Sequence, residues 1–200
     1  MKKRNKPKEK NILINSFKES IVFIKESKNY IYSITALFFF FALIGFFVPV
    51  PLEIENQIME FFKEIVAETE GMSSIELILF ITLNNIQSSF FGLFFGIFLG
   101  IFPVFSSIFN GYIVGFVSNL SVSNAGFLSL FRLMPHGIFE LPALFISLGL
   151  GLRLGAWVFY SNKRDFKKEF MGSVKAFILV VIPLLIIAGI IEGLLIFFIR

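Results

Sequence analysis

Long apolar runs alternate with short charged blocks along this chain. Residues 31–48 and 77–131 carry no charged side chain, residues 137–160 carry only Glu140 and Arg153, and residues 176–199 carry only Glu192. A helix needs about 20 apolar residues to cross a hydrocarbon core. At ~1.5 Å rise per residue, the 77–131 run is long enough for two crossings. Pro103, in I-F-P-V-F, is the expected break between them, because proline removes a backbone donor inside a helix. The pattern therefore predicts an all-α fold class, a polytopic transmembrane helix bundle with spans at 31–48, 77–102, 104–120, 137–160 and 176–199. Helices are chosen over strands because an open strand edge would leave backbone groups unsatisfied in lipid. Residues 30–200 read as one transmembrane domain and residues 1–29 as a tail preceding it. The first span is expected to persist as an anchor, since its apolar run is too long for a cleavable signal and F-F-V-P-V-P-L-E offers no small-x-small cleavage site. The alternative to five crossings is a re-entrant segment over 121–136.

Two shorter segments are amphipathic. Ile14, Phe17, Ile21 and Ile24 recur at steps of three and four, with Lys18, Lys25 and Lys28 between them. Such a basic amphipathic helix is expected to lie on the inner membrane surface rather than free in solvent. In the acidic segment 51–76, Ile54, Ile58, Phe61, Phe62 and Ile65 share a face, which is expected to dock on the outer ends of the spans or on a partner. Ser73-Ser74-Ile75-Glu76 has the spacing of a capping box opening the second span.

Composition turns the pattern into a choice of solvent. Hydrophobic residues make up 56% of the 200 and charged residues 16%, against roughly 25% charged in an average soluble domain. Mean hydropathy is +0.83. The 30 Phe stand beside four Tyr and one Trp, so nearly all the aromatic surface lacks a polar handle. A soluble fold of this size could not hide that surface. Disorder, nucleic-acid binding and a soluble enzyme are poor readings, and the cell membrane is the expected location.

Charge placement then suggests an orientation. Residues 1–29 hold nine Lys or Arg and three Glu, net +6; residues 51–76 hold seven Glu and one Lys, net −6; residues 161–175 hold five Lys or Arg and two acids, net +3. The positive-inside rule puts both basic blocks in the cytoplasm. The acidic segment and the C-terminus then fall outside. Cysteine is absent and His136 is the single histidine, which removes thiolate chemistry and multi-His zinc sites. No cofactor or metal is expected.

Small residues recur at helical steps in four spans: Asn85, Ser88, Gly92, Gly96 and Gly100 in the second; Ser107, Gly111 and Gly115 in the third; Ala143, Ser147, Gly151 and Gly155 in the fourth; Gly189 and Gly193 in the fifth. In lipid such seams let helices approach closely. They mark intramolecular packing, the reading preferred here, or homo-oligomer contacts. Polar groups inside the spans form a second candidate set. Asn84, Asn85 and Asn110 are expected to bond across helices or to line a path, because an unpartnered buried amide is unfavourable. Arg132, His136, Glu140 and Glu192 all fall near the expected outer face. They are candidates for an ion-pair network or a functional cluster, since charges in a bilayer usually pair or serve function. Arg153 is expected to snorkel to the headgroups.

The stretches L-N-N-I-Q-S-S-F-F-G-L-F-F-G-I-F-L-G-I-F-P, F-N-G-Y-I-V-G and M-P-H-G-I-F-E-L-P-A-L-F-I-S-L-G-L-G-L-R-L-G resemble the stage II sporulation protein M family of integral membrane proteins, over residues 80–157. The last stretch, with Pro135, His136, Gly137, Glu140, Pro142 and Ala143, is the most specific. In endospore-forming bacteria members of that family act in engulfment, in a membrane complex with peptidoglycan-degrading partners. The resemblance implies a non-enzymatic scaffold or organiser of a membrane complex at the cell envelope, with membrane or extracytoplasmic protein partners. The alternative is a transporter or transporter subunit with a polar path through Asn84, Asn85, His136, Glu140 and Glu192. An enzyme is not expected: His136 and Glu140 could form an acid–base pair, but no nucleophile motif accompanies them.

Overall fold

A computed structural model describes residues 6–48, 50–160 and 165–199, with side chains for 12–48, 50–130, 137–159 and 165–198. The α-helices are α1 (Lys6–Glu26), α2 (Lys28–Phe47), α3 (Leu52–Thr69), α4 (Ser74–Phe94), α5 (Ile101–Ala125), α6 (Leu130–Ala156), α7 (Phe166–Ala176) and α8 (Ile182–Ile199). No strand occurs among the described residues. Five stretches are long and apolar enough to cross a membrane: Lys28–Phe47, Ser74–Ile97, Ile101–Ala125, Gly137–Phe159 and Phe166–Phe198. Large apolar side chains such as Phe40, Leu43, Leu83, Phe98, Phe105 and Ile178 are exposed along these helices. Water would penalise that surface, whereas a bilayer accepts it.

α6 is the centre of the bundle and packs against α2, α4, α5 and α8. Around it, α2 and α5 run parallel in a constant register of 73 residues. Ser107 Oγ donates to the Ile34 carbonyl and Asn119 Nδ2 to the Phe46 carbonyl, both at 2.9 Å. Between these bonds, Gly111 lies on Phe38 and Gly115 on Ala42, each so close that a Cβ would strike the facing backbone. On the other side of α6, Gly96 meets Gly151, and Gly155 meets Gly96 and Gly100. Gly92 receives the Leu148 side chain. Ser147 Oγ closes this α4–α6 seam by donating to the Ser89 carbonyl at 2.6 Å. Gly189 and Gly193 of α8 sit on Thr82 and Ile78 of α4, so those two helices run antiparallel. The small-residue stripes thus place backbone against backbone within one chain, where packing and hydrogen bonds replace the hydrophobic force that lipid withholds.

Several element boundaries differ from the sequence reading. The break after the second span lies at 95–100, not at Pro103. A 3₁₀ turn at Phe95–Ile97 leads into Leu99 (φ 55°) and Gly100 (φ 72°), and these left-handed residues reverse the chain. Pro103 is buried in the first turn of α5, where a missing backbone donor breaks no helical bond. α5 runs on to Ala125, and α6 begins at Leu130 after a 3₁₀ turn at Phe127–Ser129. The 121–136 region thus holds the end of α5, a short turn and the start of α6. The helix that carries the fifth span begins earlier than 176: α7 continues through a π-helical turn at Phe177–Val181 into α8. Pro183 explains that turn, because its ring would clash with the carbonyl four residues earlier and a wider turn relieves the clash. The capping box forms as spaced, with Ser73 N–H donating to Glu76 at 2.8 Å and Glu76 N–H to Ser73 Oγ at 3.4 Å.

Candidate functional site

The polar residues singled out in the spans are spread over several faces of the bundle. Asn84 is exposed on α4. With Gln87 it lines a cleft of about 440 Å³ beneath Phe61, Glu64, Ile65 and Glu68 of α3. Glu140 is half-buried and engaged in a polar contact. It lines a different cleft, of about 250 Å³, with Phe62 of α3 and Ile113, Val114 and Val117 of α5. α3 therefore overlies both clefts but does not merge them. Asn85 is half-buried on α4, and Glu192 is half-buried on α8. Among the described residues Glu192 has no hydrogen-bond or ion-pair partner, and it lies one turn beyond the Gly189–Thr82 contact. Arg132 and His136 belong to the α6 helix, and their side chains lie outside the described set.

Asn110 corrects the expectation of a cross-helix bond. Its Nδ2 donates within α5, to the Ser106 carbonyl at 2.8 Å and to Ser106 Oγ at 3.2 Å. A neighbouring hydroxyl one turn back satisfies the amide locally, so no second helix is needed. Among the described residues the side-chain amide that bridges helices is that of Asn119, which the sequence reading missed. Its signal was present, because Asn119 extends the Ser107–Gly111–Gly115 stripe by one more step of four.

Among the described residues, the polar site with the most side-chain hydrogen bonds lies around Arg153. This side chain is 5% exposed, so it does not snorkel to the headgroups. Its Nε and Nη2 donate to the two carboxylate oxygens of Glu169 on α7, at 2.5 and 3.0 Å. Nη1 donates to Ser27 Oγ at 2.7 Å and to the Phe23 carbonyl at 3.3 Å. The guanidinium also sits 4.0 Å from the centre of the Phe23 ring, and Glu26 lies 3.8 Å from Nη2. Every face of the cation is thus matched, by a fork-on-fork carboxylate pair, a hydroxyl, a carbonyl and a ring. The clasp ties α1, α6 and α7 together. Snorkelling fails as an explanation because α7 brings a buried carboxylate, Glu169, to the guanidinium inside the fold.

α1 docks on the bundle through a face that shares only Ile24 with the apolar stripe read from the sequence. Ser20 and Ser27 are buried and Phe23 and Ile24 pack on the core, whereas Ile14 and Phe17 are exposed. Ser27 faces Arg153 beside Glu169, Phe23 faces Gly172, and Glu19 pairs with Lys175 at 2.8 Å. α1 and α7 therefore run antiparallel. Among the described residues, no group of three or more His, Asp or Glu is placed to hold a metal ion.

The family of these residues is settled by comparison with known sequences. The model of the family described as Stage II sporulation protein M matches residues 34–195. The match runs from within α2 to within α8 and extends well beyond the motif-bearing middle of the chain. No curated protein and no solved structure matches the chain. The chain belongs to the Stage II sporulation protein M family.

Proposed function

We propose that this protein is a non-enzymatic scaffold of the cell membrane, with its N-terminus in the cytoplasm and its C-terminus and α3 outside. The reading is supported by family membership and by one structural observation. The small-residue seams are occupied within the chain, which leaves α3 as the partner-facing element. α3 buries only Thr69 and carries Glu53, Glu55, Glu60, Glu64 and Glu68 against a single Lys63. A partner with a basic, partly apolar face complements it. The transport reading is less favoured because Asn84 and Glu140 line separate clefts.

The chain has no cysteine, so Glu60→Cys creates a unique probe. A membrane-impermeant maleimide is expected to label it in intact cells. A photo-crosslinker at the same position is expected to capture a second protein in native membranes, and Glu53→Gln with Glu55→Gln to weaken that capture. Labelling only after the membrane is opened would reverse the orientation. Flux through reconstituted vesicles that Glu140→Gln abolishes would replace the scaffold with a transporter.

A further inference from the structure

At the end of the bundle that carries the Arg153 clasp, α1 and α7 enclose a cleft of about 290 Å³ lined by Glu19, Ser20, Phe23, Lys168, Gly172 and Lys175. Lys168, Gly172 and Lys175 fall on one face of α7 at steps of four and three. The glycine lets the Phe23 ring lie against α7, since a Cβ would push that ring aside. The floor of the cleft is therefore aromatic and apolar, and two lysines stand at its rim. Lys175 is bonded to Glu19, but both side chains are well exposed, 44% and 63%. Such a pair holds little free energy and exchanges partners readily. Met171 also lines the cleft and is exposed, as are Leu13, Ile14, Phe17 and Val22 of α1. Lys18, Lys25, Lys28 and Lys167 are exposed among them.

The cleft stands at the boundary of the apolar bundle, because α1 leads into α2 and α7 runs unbroken into α8. A ligand that matches two ammonium groups, an aromatic floor and an apolar surround is an amphiphile with an anionic head. We infer that this cleft binds the headgroup of an anionic phospholipid, with the phosphate between Lys168 and Lys175 and the acyl chains along Met171 and the exposed apolar residues of α1. The Arg153 clasp holds α1 against α7 and so keeps the cleft formed. The site does not depend on the scaffold reading.

The test is thermal unfolding of the full chain in neutral detergent with added phosphatidylglycerol, phosphatidylcholine or inorganic phosphate. Phosphatidylglycerol is expected to raise the unfolding temperature at concentrations where the other two do not. Lys168→Gln with Lys175→Gln should raise the half-effective lipid concentration by about thirtyfold, through loss of two basic contacts. Glu19→Gln should lower it by freeing Lys175. If the double variant fails to fold, Lys168→Arg with Lys175→Arg must keep the lipid response, and Glu19→Gln still decides the matter. Equal shifts by the two lipids, an equal shift by phosphate alone, an unchanged response in both Glu19→Gln and Lys168→Gln with Lys175→Gln, or, where that double variant does not fold, an unchanged response in Glu19→Gln would overturn the assignment.

Discussion

α1 and α3 begin as similar patterns and end differently. Each is an amphipathic helix flanking the spans, with apolar residues at steps of three and four. α1 is fastened: Ser20 and Ser27 are buried, and Arg153 reaches from α6 to bond Ser27 and the Phe23 carbonyl. α3 overlies two clefts and buries only Thr69. Apolar periodicity is common to both, so it does not decide docking. A buried cation reaching out of the bundle does, because it must find partners wherever the fold allows. One flank thereby becomes part of the folded core, and the other stays largely exposed.

The most damaging way to break this contrast is Arg153→Ala. It strands the Glu169 carboxylate, 7% exposed, and breaking a buried pair from one side costs about 3–5 kcal/mol. A large fall in unfolding temperature in detergent is expected, with partial recovery in Arg153→Met combined with Glu169→Leu. Gly151→Val comes next. Its side chain would meet Gly92, Leu93 and Pro103, and overpacking of this kind costs about 1–3 kcal/mol, read in the same melts. Ser147→Ala removes the bond to the Ser89 carbonyl and should be milder, about 0.6 kcal/mol as for interhelical bonds in membranes. Smallest of all, Glu64→Gln with Glu68→Gln on α3 should leave the melt within ~0.5 kcal/mol of the parent. A fall there as large as that of Arg153→Ala would erase the distinction between the flanks.

These effects also mark where the sequence could be read. Charge-free runs define spans, because a lipid solvent tolerates few alternatives to apolar helices. The Gly96–Gly100–Gly151–Gly155 stripes marked close approach for the same reason, although only coordinates pair Gly96 with Gly151. Pro103 misled because the cue for a break in the chain was taken from the proline, while the left-handed pair Leu99–Gly100 makes the turn. Arg153 misled because its partners lie 16 and 126 residues away. A lone arginine near a helix end looks the same whether it snorkels or is clasped. Asn84, Asn110, Glu140 and Glu192 shared only their polarity and a place inside an apolar span. Position along a span says nothing about azimuth around the bundle, and Asn84, Asn110 and Glu140 meet different neighbours.

Hydrogen–deuterium exchange of the full chain in lipid nanodiscs tests the contrast between the flanks most directly. Amides of residues 17–27 should be strongly protected and those of residues 52–69 should exchange early. In Arg153→Ala the α1 protection should collapse while α3 stays as it was. Protection of α3 equal to that of α1, or an α1 that exchanges freely in the parent protein, would contradict a bundle that clasps one flank and leaves the other open.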